Sequence, residues 1–267
     1  MKNFLIILFV AALPLSGKCL DLELYKKMTF TRSGNTLLYR ILYPKDYDNR
    51  KPYPVLAFLH GSGERGNDNE AQLKHGGSLF ANDSVRNSLP AIVIFPQCPK
   101  DSTWSYFRPR RDTLSATGNS RDLSFSPRPT VPALLVKLLL DSLVASKKAD
   151  PNRMYIGGLS LGGFGTFDMI QRYPSFFAAA IPICGGGDVN VADRFADKVS
   201  VWLFHGDEDK SVDVSNSRNY FAVLKKLGAD TRYTEYPGVA HNSWDNAFKE
   251  RELLKWMLSK SRKNNKK

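Results

Sequence analysis

Met154-Tyr155-Ile156-Gly157-Gly158-Leu159-Ser160-Leu161-Gly162-Gly163 is the stretch that decides the fold. A short apolar run, Met154 to Ile156, reads as a strand, and Leu161 to Arg172 reads as a helix stopped near Pro174. Ser160 therefore stands at a tight strand-to-helix turn. The Gly-x-Ser-x-Gly pattern alone occurs by chance in roughly one chain in ten of this length, since glycine and serine are each near 7% of residues. Its placement carries the weight, because glycines on both sides let strand and helix approach closely while the serine hydroxyl projects from the strand end.

Working outward, further continuous apolar runs predict strands buried on both faces: Val55 to Leu59, Ala91 to Phe95, Ala178 to Ile183 and Val201 to Phe204. Thr231 to Tyr236 predicts a last edge strand. Helical spacing predicts helices over Pro132 to Ser146, with Leu134, Leu135, Leu138 and Leu139 on one side, over Asn216 to Leu227, closed by Gly228, and over Asn246 to Lys260. Near the start, Lys27 to Thr31 and Thr36 to Tyr43 flank Ser33-Gly34-Asn35 and predict a hairpin. Strands alternating with helices make this an α/β chain, with a mainly parallel central sheet, helices on both faces and an N-terminal antiparallel hairpin. The domain is expected to span 20–260, with 261–267 a basic tail.

Residues 99–131 fit neither period. They hold Trp104, Tyr106, Phe107 and five arginines, Arg108, Arg110, Arg111, Arg121 and Arg128. So long a connection is usually functional or disordered, and it follows a strand's C-terminal end, the side on which open α/β sheets bind ligands. It is read as an insertion beside the site, with Trp104 and Arg108, together with Trp244, as candidate substrate-binding residues that stack on a ring or meet a carboxylate.

A serine hydroxyl needs a base within hydrogen-bond reach. His60 and His205 each end a strand before a glycine, where an imidazole more often braces a turn, and His75 lies in a loop with no partner apparent. His241, in Gly238-Val239-Ala240-His241-Asn242-Ser243-Trp244, follows the last strand and satisfies the chain order nucleophile, acid, base. The acid comes from His205-Gly206-Asp207-Glu208-Asp209. Asp209, three residues before Val212, is preferred over Asp207, which suits tightening the turn through its own backbone. Its job is to hold the imidazole tautomer. For the oxyanion, the backbone N–H of Leu161 is one donor and that of Ser62 the other, with Gly63 the alternative, both in the glycine-rich loop after Leu59. That loop lacks the Gly-Lys-Ser/Thr ending of a phosphate cradle. No cofactor and no metal is called for.

Leu59-His60-Gly61-Ser62-Gly63-Glu64-Arg65-Gly66, Pro96-Gln97-Cys98-Pro99, Asp150-Pro151-Asn152-Arg153, Ser160-Leu161-Gly162-Gly163, Tyr173-Pro174, Cys184-Gly185-Gly186 and His241-Asn242-Ser243-Trp244 together carry a resemblance. The chain resembles the exported α/β-hydrolase esterases grouped with feruloyl esterases, polyhydroxybutyrate depolymerases and predicted peptidases related to prolyl oligopeptidase. The resemblance implies the α/β-hydrolase fold, the triad Ser160, Asp209 and His241, and hydrolysis of carboxylic esters through an acyl-enzyme, with feruloyl or acetyl esters of plant polysaccharide as the expected substrates. A serine peptidase and a non-catalytic glycan-binding protein on the same scaffold are the alternatives.

The formal charge of +12 on 267 residues suggests a nucleic-acid or acidic-membrane partner until it is mapped. Lys2, Lys18, Lys255, Lys260, Arg262, Lys263, Lys266 and Lys267 lie at the two ends, and removing these eight leaves +4 on the body. The expected partner is a small-molecule or glycan ester, with no nucleic acid and no membrane span; the residues leave the oligomeric state open. Phe4 to Leu15 is too short to cross a bilayer and predicts a signal peptide over 1–19, hence a secreted or periplasmic protein. Leu15 to Cys19 also approximates a lipid-anchoring box, although Lys18 stands where a small residue is expected. Cys98 and Cys184 follow strands with two others between them, roughly 14 Å apart at about 4.8 Å per strand, so both are expected to be free and buried.

Overall fold

A computed structural model describes residues 21–106, 108–111 and 119–262. The segment 1–19 expected to be a signal peptide, with Cys19, the side chains of Phe107, Arg108, Arg110, Arg111 and Arg121, and the end of the basic tail lie outside the described residues.

An eight-stranded sheet organises the chain. Its strands are β1 (Lys26–Arg32), β2 (Asn35–Leu42), β3 (Tyr53–Leu59), β4 (Ile92–Gln97), β7 (Ala149–Leu159), β8 (Ala179–Ile183), β9 (Ser200–Gly206) and β10 (Thr231–Tyr236), in the spatial order β1-β2-β4-β3-β7-β8-β9-β10. From β4 to β10 all neighbours are parallel, whereas β1 and β2 form an antiparallel hairpin that joins antiparallel to β4. This is the expected α/β sheet with its hairpin edge. A separate hairpin, β5 (Arg108–Arg111) with β6 (Asn119–Asp122), forms inside the 99–131 insertion, where no strand was predicted.

The helices are α1 (Gly77–Ala81), α2 (Asp83–Ser88), α3 (Val131–Ala145), α4 (Leu161–Arg172), α5 (Ser215–Lys226), α6 (Trp244–Ala247) and α7 (Leu253–Leu258). The central strands are largely apolar, β7 from Met154 onward, because alternate residues enter two cores. Val55, Ala57, Leu203 and Ile156 pack with α3, α4 and α5, while Leu56, Phe58, Trp202 and Tyr155 pack with α1, α6 and α7.

Two helix expectations are corrected. The buried face of α3 is Ala133, Leu135, Val136, Leu139, Leu140 and Leu143, with Leu134 39% exposed, so the period was right and the face was turned by one residue. The predicted helix from Asn246 to Lys260 is two short helices. Between them the chain tightens through bonds to the third residue back, Lys249 N–H to Asn246 and Leu253 N–H to Glu250. That turn lets Phe248 reach Phe58 while Trp256 reaches Trp202, a pair of contacts on different strands.

The chain leaves β3 toward β4 on one side and leaves β7 toward β8 on the other. The sheet order thus reverses between neighbouring strands β3 and β7, and a crevice opens beyond their C-terminal ends. The loops carrying Ser62 and Ser160 leave from these two ends.

Candidate active site

Ser160 has φ 53° and ψ −115°, a backbone state that costs a non-glycine residue about 1–3 kcal/mol. The turn is held by Ser160 N–H to Ile183 O at 2.9 Å and Phe164 N–H to Ser160 O at 3.1 Å. Both flanking glycines are needed for space. A Cβ at Gly162 would sit 1.9 Å from Leu59 O, and one at Gly158 would sit 2.4 Å from Gly162 O. Strand β3, the turn and α4 can close on one another only without those side chains.

The loops after β9 and β10 meet because Gly206 leaves no room to spare: a Cβ there would fall 2.1 Å from Val239 O. Glu208 N–H donates to Val239 O, and Asp207 Oδ1 accepts from Gly238 N–H at 2.7 Å. Asp207 does fasten a turn, but by gripping the opposite loop and not through its own backbone, as was expected.

This closure brings Asp209, His241 and Ser160 into one hydrogen-bonded row. His241 Nδ1 lies 2.7 Å from Asp209 Oδ2, and His241 Nε2 lies 2.9 Å from Ser160 Oγ. An ionised carboxylate only accepts, so the proton is on Nδ1 and the bare Nε2 accepts from the serine hydroxyl. Asp209 is buried, and its other oxygen accepts from the N–H groups of Ser211 and Val212 at 2.8 and 2.9 Å. Burial alone would raise its carboxyl pKa, but bonds from His205, His241 and Val212 outweigh that and hold it well below the usual carboxylate range.

His205 is more than a turn brace. Its ring is fully buried, with Nε2 3.0 Å from Val212 O and 3.3 Å from Asp209 Oδ2. A carbonyl oxygen only accepts, so Nε2 carries the proton and faces the acid as a further donor, while Nδ1 lies 2.7 Å from Ser217 Oγ. The sequence signal for this contact is the spacing of four residues between His205, at the strand end, and Asp209.

Cys184 is buried behind this row at φ 40°, and Cys98 is buried beside the loop after β3; both are free thiols. Burial pushes the Cys98 thiol up to about 12 and the Cys184 thiol still higher. Among the described residues one cluster has metal-ligand spacing, Cys184, Asp209 and His241, with ligand atoms within 4.8 Å of one another. Its thiol is held protonated, and its carboxylate and imidazole already bond to each other, so the set suits proton transfer better than a cation.

The loop after β3 lies against Ser160. A Cβ at Gly61 would be 3.7 Å from Ser160 Cβ. Ser62 opens a one-turn helix, Ser62–Glu64, and Leu161 is the first residue of α4; the N–H groups of such opening residues have no intrahelical acceptor. His60 anchors the loop, accepting from Cys98 N–H at Nε2 (2.9 Å), with Nδ1 2.6 Å from Gly61 O.

Burial lowers the His60 pKa to about 4, with the Gly61 bond opposing. The folded chain therefore needs this ring neutral, whereas the unfolded ring takes a proton below about pH 6.5. Stability from His60 is complete above about 6.5, falls as pH drops toward 4 and then levels, a loss of about 3 kcal/mol. We expect the urea midpoint of wild type to fall between pH 7 and 4.5, and that of His60→Gln to fall much less. Parallel declines in the two proteins would defeat the assignment.

Trp104, expected to face substrate, is instead buried in the core. Its indole is fully buried, donates from Nε1 to His60 O at 3.1 Å and packs on Gly165, where a Cβ would come within 2.4 Å of it. It braces the loop after β3 from behind. Tyr106, in the same segment, is exposed at 53%. Trp244 is half-buried, edge-on to His241 at 5.4 Å, and so lies at the site. The Arg108 side chain lies outside the described residues.

Residues 127–253 match the family model described as Phospholipase/Carboxylesterase. A solved structure described as a thermostable esterase is 37% identical with a TM-score of 0.80, and the match covers 91% of this chain and 64% of that one. Poly(3-hydroxyalkanoate) depolymerase C of Paucimonas lemoignei is 46% identical over 54 residues, 20% of this chain and 13% of the depolymerase. A ferulic acid esterase structure, 17% identical, aligns with a TM-score of 0.64 over 88% of this chain and 97% of its own. The chain thus spans less than two thirds of the thermostable esterase and a small part of the depolymerase. These matches fall within the group that the motifs resemble.

Proposed function

We propose that this chain, which has the α/β-hydrolase fold, is a serine carboxylic-ester hydrolase working through an acyl-enzyme. The observation that carries the reading is Ser160 Oγ within 2.9 Å of His241 Nε2 on a strained turn, with Asp209 behind the imidazole. Ser160 Oγ attacks the ester carbonyl carbon while its proton passes to His241 Nε2. The imidazolium so formed is stabilised by Asp209. Negative charge on the carbonyl oxygen is met by the N–H groups of Leu161 and Ser62. Collapse expels the alcohol, which takes the proton from Nε2. Water, deprotonated by the same nitrogen, then releases the acid and restores the serine.

The substrate class in this reading is an acyl ester of a plant polysaccharide, feruloyl or acetyl, hydrolysed outside the cytoplasm. Support for the ester comes from the 37% identical esterase, and support for export from the apolar segment after Lys2. Among the described residues no helix is long and apolar enough to cross a membrane.

A panel of p-nitrophenyl acetate, methyl ferulate, acetylated xylan and aminoacyl anilides tests this. We expect turnover of the esters with a burst of p-nitrophenol, and faster turnover of at least one carbohydrate ester than of the anilides. Cleavage of anilides alone would favour a peptidase, and xylan binding without turnover would favour a glycan-binding scaffold.

A further inference from the structure

Glu64 is a buried carboxylate that the chemistry above does not use. It ends the short turn Ser62–Glu64, and its side chain folds back beneath that turn: Glu64 Oε2 lies 3.1 Å from the position a Cβ would take on Gly61, the same point that lies 3.7 Å from Ser160 Cβ. The partner facing the carboxylate is His75, whose Nε2 is 3.5 Å from Oε1. His75 in turn packs its ring against Trp244 at 5.0 Å, and Trp244 meets His241 at 5.4 Å. The loop that carries His75 is seated firmly, because Gly76 at φ 89° leaves only 3.0 Å between a would-be Cβ and Phe248.

We propose that Glu64 and His75 are positioning residues that hold the oxyanion turn and, through Trp244, keep it in register with the base. The inference rests on the serine-hydrolase reading and deepens it. A turn of three residues has too few internal bonds to fix the direction of its first N–H; here its own bond is Glu64 N–H to Gly61 O at 3.4 Å. The outer side is gripped by Arg65, which donates from Nε to Ser62 O at 3.1 Å and from its terminal nitrogen to Ser102 O at 3.2 Å. The inner side has Glu64. Oxyanion stabilisation falls steeply when a donor is misplaced, so a brace beneath the turn acts on kcat. A bare carboxylate so near a developing negative charge would oppose it, and the His75 ring nitrogen 3.5 Å from Glu64 offsets that opposition.

Glu64→Ala, Glu64→Gln, His75→Phe and the double variant Glu64→Ala/His75→Phe decide the matter, with kcat and KM on p-nitrophenyl acetate and hydrogen exchange of the 60–66 segment. We expect Glu64→Ala to lower kcat by at least about tenfold with little change in KM, by loosening one oxyanion donor. Glu64→Gln, which keeps the shape and an acceptor for His75, stays within about threefold of wild type. His75→Phe keeps the ring against Trp244 but loses the nitrogen, and falls as Glu64→Ala does. The double variant is no worse than either single one, because both remove one brace. Exchange of 60–66 quickens in both singles. Wild-type kcat in His75→Phe, or losses that add in the double variant, would overturn the proposal, and His75→Phe carries the test should Glu64→Ala fail to fold. If wild type turns over no ester, the serine-hydrolase reading falls, while unchanged exchange in His75→Phe separately refutes the brace.

Discussion

Ser160→Ala is expected to lower kcat on p-nitrophenyl esters by about 10⁵–10⁶-fold, because in the proposed mechanism the Ser160 hydroxyl is the group that forms the acyl-enzyme. The fold should survive, since alanine takes the same space and the hydroxyl's partner in the structure is His241 Nε2. Alanine does not relieve the turn, as a Cβ at φ 53° is strained with or without the hydroxyl. Ser160→Gly does relieve it and should raise stability by about 1 kcal/mol while being equally inactive. A stable protein that loses stability for function at one backbone position is the pattern a strained nucleophile turn predicts. Active-site labelling with a fluorophosphonate, thermal unfolding and ester turnover read the three effects. Residual turnover in Ser160→Ala above about one per cent of wild type would remove Ser160 from the role.

Asp209→Asn is expected to cost about 10⁴ in kcat, and Asp207→Asn less than about tenfold. The difference follows from what each carboxylate accepts. Asp209 takes bonds from Ser211 N–H, Val212 N–H and His241 Nδ1, with His205 Nε2 at 3.3 Å. An amide has one acceptor oxygen for those donors, and its NH₂ facing His241 favours the tautomer with the proton on Nε2, which can no longer take one from Ser160. Asp207 is exposed and receives one bond, from Gly238 N–H, so its loss loosens the two loops without removing a partner of the imidazole. Asp209 is held ionised well below the ordinary carboxylate range, so its contribution to stability is present above about pH 4 and is lost only as pH falls further, toward its folded value. A greater loss in Asp207→Asn than in Asp209→Asn would reverse the assignment.

Where sequence reasoning went astray, burial was the missing quantity. Trp104 sits in a loop rich in aromatic and basic residues, which in a linear reading suggests a surface for ligands; folded, it lies beneath His60 and against Gly165. The face of α3 moved by one residue because Leu134 and Leu135 are equally apolar, and only the side of the helix that packs on the core separates them. The Asn246 to Lys260 stretch has helical spacing throughout, yet Phe248 and Trp256 are drawn to different strands and the helix breaks between them. Glu64 and His75 are eleven residues apart in a loop without periodicity, so no pattern marks them as a pair.

Local rules sufficed for much of the molecule. The continuous apolar runs, the strand-to-helix turn at Gly158-Leu159-Ser160-Leu161-Gly162 and the order Ser160, Asp209, His241 are properties of neighbouring residues and of chain direction, and the sequence by itself determined them. Which atoms touch was decided by tertiary structure. The 2.9 Å between His241 and Ser160 spans 81 residues of chain and depends on the near-contact of Gly206 with Val239 and on sheet register between β9 and β10. Hydrogen bonds need positions good to a fraction of an ångström, and only the packing of the whole core supplies that.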